Sequence, residues 1–268
     1  MAKTTPTSAP LKVTPAKATT AVAIKPAMNV VSIKAALAAQ VAANSGKTAA
    51  PTGTKIRCTQ DKQFLLPDGT KTAGPIDVVI LDFCTAHDFY EGAYDPKNIA
   101  APICFAIGQD PKNMAPSANS PVPQSTNCQI CPMNQFGSDG TGKACKNSRS
   151  LALLPASNDG LDVDHEADIW TIDVSPTALK GFDGYVQSLA RSFGSPPVGF
   201  LTEISFDPSV TYARLVFGNP RPIASLGEAM GRQEEAKELL TIEPDVSGYA
   251  AKQANTKVPA RKPAVARR

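Results

Sequence analysis

Three of the chain's six cysteines fall within eighteen residues of one another, in the stretch CQICPMNQFGSDGTGKACK that spans 128–146. Cys128 and Cys131 form a C-x-x-C pair, which puts two sulfurs on one tight turn with a bite that suits a tetrahedral metal ion. Pro132 stiffens that knuckle, and Gly137, Gly140 and Gly142 let backbone amides of the following loop turn toward thiolates. Cys145 supplies a third sulfur. The fourth is expected from Cys104, upstream in APICFAIG. Cys84 and His87, spaced C-x-x-H, are the competing source. Cys84 ends an apolar run and reads as a small buried hydrophobe, as does Cys58 in its own strand, while His87 reads as a surface loop residue. The expected ligands are therefore Cys104, Cys128, Cys131 and Cys145, with a site using His87 as the rival arrangement. Four thiolates leave no open coordination position, so one structural Zn2+ per chain is the expected cofactor. It would order a segment too polar to build a core.

Other chemistry is sparse. His87 and His165 are the two histidines, each in an Asp-rich surrounding, and neither sits in a nucleophilic triad pattern. The stretch DGLDVDHEAD (159–168) is dense in carboxylates but lacks the central Gly and terminal Glu of a twelve-residue calcium loop, so a solvated loop is expected. Gly-rich phosphate or dinucleotide motifs are missing from the sequence. A protein without enzymatic activity is the expectation.

The elements that must position the cysteines lie between two basic segments. Residues 1–57 carry Lys3, Lys12, Lys17, Lys25, Lys34, Lys47, Lys55 and Arg57 and no acid; residues 249–268 carry six more Lys or Arg and no acid. Of the 27 basic residues 13 remain in the middle with all 24 acidic ones, a formal charge of −11 for the body against +3 for the chain. Residues 1–54, rich in Ala, Thr, Pro and Lys and without an aromatic, cannot bury enough apolar area to order themselves, and 249–268 has the same character. A helix over 32–43 would be marginal alone. Both segments are expected to be disordered and to flank a domain at 55–248. No apolar run reaches the roughly 18 residues of a membrane span, and no export signal is read, so a cytoplasmic setting is expected, where clustered cysteines bind metal more often than they pair.

Within the body, 55–66 reads as a strand closed by the turn Pro67-Asp68-Gly69, and IDVVILDF (76–83) as a buried strand that DFYEGAY (88–94) could extend. Regular structure fades over an insert at about 101–147. Short strands are expected at 150–154 and 168–174, and a helix at 177–193 with Ser175 or Thr177 as N-cap and Gly194 as stop. A hairpin of 198–206 and 211–217 turns around Asp207-Pro208-Ser209, and a last helix covers 226–240. Mostly β, with a helix between the third and fourth strands, this order suits an OB-like five-stranded barrel carrying the cysteine insert. An α+β sandwich is the alternative.

The motifs VVILDF, FYEGAY, PICFAIG, CQICPMNQFGS and GKACKNSRSLALL together resemble a group of small phage and prophage proteins with a four-cysteine site, over roughly 55–240. That group is similar in outline to phage single-stranded DNA-binding proteins, some of which insert a zinc subdomain into an OB-fold. The resemblance implies a protein that binds single-stranded DNA in phage DNA replication or recombination, in the cytoplasm of the host, with phage or host replication proteins as further partners. The chain departs from the acidic C-terminal tail common in such proteins, since both its ends are basic. A strand-binding groove needs cations for phosphates and aromatic faces for bases. Lys143, Lys146 and Arg149 follow the cysteine loop, and Phe89, Tyr90, Tyr94 and Phe136 lie near it in sequence. The alternative is a zinc-stabilised regulatory protein that docks on a host or phage protein, which the acidic body favours.

Overall fold

The computed structural model describes residues 54–92 and 100–249, all within one compact unit, Thr52–Arg268. Tyr94 and nearly all of the two basic segments lie outside the described residues.

The expected first strand is broken into a small meander of β1 (Arg57–Cys58), β2 (Phe64–Leu65) and β3 (Lys71–Thr72). Thr59 closes the first turn, accepting from Gln63 N at 3.0 Å and donating to Gln63 O at 3.1 Å. The second turn is the expected Pro-Asp-Gly, with Gly69 at φ 86. Phe64 from this meander is fully buried and stacks on Phe206 at 4.3 Å.

The main sheet is built on β4 (Ile76–Phe89), a single strand of 14 residues that continues well past the expected end at 83. β6 (Cys145–Pro155) pairs antiparallel along most of its length and β7 (Trp170–Val174) pairs with β6. The opposite edge of β4 is shared: β8 (Phe200–Phe206) takes Ile76–Val79, and β5 (Cys104–Gly108) takes Thr85–Phe89. β9 (Leu215–Pro222) pairs with β8, giving the order β7-β6-β4-β8-β9 with β5 beside β4. A bulge between Ile80 and Asp82 switches the alternation of β4, so one face carries Val78 and Ile80 before it and Phe83, Thr85, His87 and Phe89 after it. β7 and β9 stand at the two ends of this order with no ladder joining them, so the sheet does not close into a barrel among the described residues.

Helix α1 (Leu179–Phe193) packs Phe182, Tyr185 and Leu189 on the first face, against Ile80, Leu151, Ile172, Ile204 and Phe217. It ends where expected, with Gly194 at φ 63 donating to Ala190 O. Its N-cap is Ala178 rather than Ser175 or Thr177, whose hydroxyls bond to each other at 3.0 Å. The last helix is two short ones, α2 (Leu226–Gly231) and α3 (Gln233–Leu240), which put Ala229, Ala236 and Leu240 on the opposite face with Val79, Leu81, Cys84 and Leu154. No described helix is long and apolar enough to cross a membrane.

Candidate metal centre and adjoining cleft

The register across β4 assembles the cysteines. Cys104 of β5 and Cys145 of β6 are both partners of Phe89, one from each side. The C-x-x-C segment folds back toward this row. Cys128 N donates to Met114 O at 2.9 Å, and a turn of 3-10 helix at Pro132–Asn134 begins just after Cys131. Side-chain amides hold the knuckle. Asn134 Nδ2 donates to Cys128 O at 2.7 Å, and Gln135 Nε2 donates to Gln129 O at 2.9 Å and Cys131 O at 3.2 Å. These bonds explain why Asn-Gln follows Cys-Pro-Met: two amides satisfy carbonyls that a loop without regular structure leaves unpaired.

Cys104, Cys128, Cys131 and Cys145 are all buried, each only 7–8 % exposed, and all four line one cavity of about 10 Å³. That is room for about one water-sized occupant, the size of a single ion and not of an organic ligand. Burial pushes the Cys128 thiol up to about 11, with Cys104 and Cys131 adding repulsion. Burial pushes Cys145 up to about 12, with Cys131, Cys128, Cys104 and Asp88 adding to it. The thiols therefore sense one another. All six cysteines are free. Among the described residues, no group of three or more His, Cys, Asp or Glu side chains is arranged to hold a metal ion as it stands. The four thiols share a cavity without being drawn into coordination geometry.

One expectation about the rival ligands changes here and one holds. His87 is no surface loop residue: it lies within β4, is 5 % exposed, and also lines the cysteine cavity. Its long strand was hidden because Thr85, His87 and Asp88 interrupt the apolar run. Burial, then Lys143 and Arg149, hold its pKa down to about 4, and its Nδ1 has no hydrogen-bond partner. Cys84 faces away into the second core, where its thiol donates to Leu240 O at 3.5 Å, which removes it from the candidate ligands.

Beside the cavity, on the same face, the pairs His87–Asn147 and Thr85–Arg149 floor an open cleft of about 300 Å³. Lys143, Asn134 and Gln135 of the cysteine loop form its other wall. Lys143 Nζ donates to Asn134 Oδ1 at 3.2 Å and lies 5.0 Å from the ring centroid of Phe136. Phe136 is 81 % exposed. Arg149 Nη2 is 3.9 Å from Asp183 Oδ1 of α1. Of the residues expected to touch nucleic acid, Lys143 and Arg149 line this cleft, and Phe136 stands beside Lys143. Phe89 lines the cysteine cavity instead. Lys146 alternates to the other face of β6, 5.1 Å from the ring centroid of Tyr90.

The carboxylate-rich loop has a structural role. Asp162 accepts from Ser225 N at 3.1 Å and Ser225 Oγ at 2.8 Å, tying the loop to the start of α2. Comparison with protein-family models, curated proteins and solved structures finds no match to this chain.

Proposed function

We propose that the chain is a non-enzymatic single-stranded DNA-binding protein whose cysteine insert is ordered by one structural Zn2+. The observation that carries the DNA reading is Phe136: a large aromatic ring 81 % exposed beside Lys143, itself part of the wall of a cleft floored by Arg149. An exposed ring offers a base a stacking surface, worth about 1–3 kcal/mol per base, and the two cations offer its phosphates partners without reading sequence. The setting in phage DNA replication or recombination rests on the resemblance of the cysteine signature.

The donor set fits zinc. Four thiols from three chain segments line a cavity of single-ion size, and the raised pKa values of Cys128 and Cys145 reflect burial and repulsion that a divalent cation would relieve. Binding requires the thiols to lose their protons and close further, the usual coupling of a structural metal to local folding. Cys104, Cys128, Cys131 and Cys145 would hold the ion, with His87, which lines the same cavity, as the rival to Cys104. The ion would supply order only. The chain's own residues do the binding: the knuckle presents Phe136, Asn134 steadies Lys143, and Asp183 steadies Arg149.

For the scaffold, we read the strand order β7-β6-β4-β8-β9, with α1 between β7 and β8, as an OB-type arrangement left open at the β7/β9 seam, a reading that the position of the helix supports.

The test separates the cleft from the basic ends. Charge reversal of Lys143 and Arg149 should weaken binding of a fluorescent oligo-dT, with zinc content unchanged. If deletion of 1–53 and 250–268 abolishes binding while the reversals do nothing, the ends merely attract polyanions. The body is then a protein-docking module, a reading that the 72 % exposure of Ile130 on the same knuckle would favour.

A further inference from the structure

Next to the row Cys104, Phe89 and Cys145, the register of β5 and β6 on β4 sets a second row, Ala106, His87 and Asn147. Cross-strand partners share a face, so His87 lies diagonally from Cys104 and from Cys145, within reach of an aromatic or long side chain. Its ring lines the cysteine cavity. It has no hydrogen bond among the described residues, and its Nδ1 is sealed from solvent without a partner. Asn147 Oδ1, on the residue directly opposite, is sealed and unpartnered as well. Four thiolates on one Zn2+ leave two negative charges in this closed space, and buried charge is stable only where hydrogen-bond donors meet it. Three lining side chains carry N–H groups: Gln124, Asn134 and His87. Gln124 Nε2 donates to Val122 O and Asn134 Nδ2 to Cys128 O, so both are drawn to carbonyls. His87 is the one of the three without a partner.

We propose that His87 is a positioning residue of the metal centre: its Nε2–H donates to the thiolate of Cys104 or Cys145, and Asn147 Nδ2 donates to its Nδ1 and holds the ring in that tautomer. The inference rests on the four-cysteine zinc reading and deepens it. A half-turn of the Asn147 amide exchanges Oδ1 for Nδ2 and answers both sealed atoms at once. Nδ1 gains a donor, and Oδ1 swings to the side of Asn147 that lines the open cleft. A buried polar atom left unpaired costs about 1–3 kcal/mol, which favours the turn. The opposite tautomer, with the proton on Nδ1, would aim a lone pair at the thiolates. His87 thus acts through the ligand sulfurs, orienting them and offsetting their charge, and is not itself a ligand.

The experiment loads the full-length protein with a magnetic cadmium isotope in place of zinc and reads the His87 ring by proton–nitrogen NMR. The ring should carry its proton on Nε2, and that proton should show a coupling to cadmium transmitted through a sulfur. Competition with a chelator then measures zinc affinity. His87→Leu should weaken it about 10–100-fold, the scale for losing such a partner of a ligand. His87→Gln, whose amide nitrogen falls near the place of Nε2, should keep most of it. A direct one-bond coupling between cadmium and a ring nitrogen overturns the proposal by making His87 a ligand. A proton on Nδ1 overturns it too, as does unchanged zinc affinity in folded His87→Leu. Each of these leaves metal binding by the centre standing. Failure of the protein to bind either metal removes the zinc reading and this inference with it. Should His87→Leu not fold, the tautomer and the cadmium coupling of wild type decide alone.

Discussion

Cys104 and Cys145 flank the same residue, Phe89, from opposite sides of β4. Two segments far apart in sequence are thereby brought into one row of the sheet, and the C-x-x-C turn only has to fold over that row. The cysteine cavity is a consequence of strand register. A one-residue slip of β6 would turn Cys145 to the other face.

Zinc stoichiometry follows from that row. Purified protein should carry about one equivalent of zinc, and Cys131→Ser should lose it. Elemental analysis checks the first. Limited proteolysis checks the second, since the variant should become cleavable between 101 and 147. Full metal retention by Cys131→Ser would remove the four-cysteine assignment.

Phe136 separates binding from stability. The ring is 81 % exposed, so Phe136→Ala should leave the melting temperature nearly unchanged. Oligo-dT affinity should fall by about 1–3 kcal/mol, the range for a lost base stack. An unchanged affinity would mean that the ring faces solvent only.

Lys143 and Lys146 give a paired contrast, because the fold sends them to opposite faces. Neutralising Lys143 should flatten the dependence of log affinity on log salt by roughly 0.7, the slope of one single-strand phosphate contact. Neutralising Lys146, beside Tyr90 on the far face, should leave that slope unchanged. Equal effects would place the strand elsewhere.

Acid should loosen the β8–β9 turn through Asp207. Hydrogen bonds from Ser209 and Arg214 hold its carboxyl down to about 2, against an ordinary 3.8. A carboxylate with a depressed folded-state pKa stabilises the protein above its unfolded value, and that contribution fades as pH falls from about 4 toward about 2. Asp207→Asn should be less stable than wild type at neutral pH, and the difference should shrink across that window in acid-denaturation curves.

Asp162 tests the role of the acidic loop. Its bonds to Ser225 N and Oγ tie the loop to the residue just before α2, so Asp162→Ala should lower stability by about 1 kcal/mol in denaturant titration, the scale of a lost hydrogen bond. Added calcium should have no effect on wild type. A calcium-dependent rise in melting temperature would contradict the tethering role.

The sequence carried more of the site than of the frame. C-x-x-C, its Pro and the later Cys single out three of the four cysteines that line one cavity, because their residue type and spacing are visible in the sequence itself. The mostly β composition, the α1 stop at Gly194 and the β8–β9 hairpin were also legible, since local turn chemistry decides them. The extent of β4 was not. Thr85, His87 and Asp88 break its apolar pattern, yet cross-strand pairing with β5 and β6 holds them in the sheet, a tertiary effect that local pattern cannot express. The same gap turned a buried His87 into an expected loop residue. The fate of Lys146 hung on the phase of β6, and the open β7/β9 seam on long-range packing.

Binding of a single-stranded 20-mer and its duplex by the zinc-loaded full-length protein, at roughly 50 and 200 mM salt, tests the central claim most directly. The account predicts binding to the single strand, clear preference for it over the duplex, and weakening at the higher salt. Equal binding of both forms, or no binding at the lower salt, would contradict it.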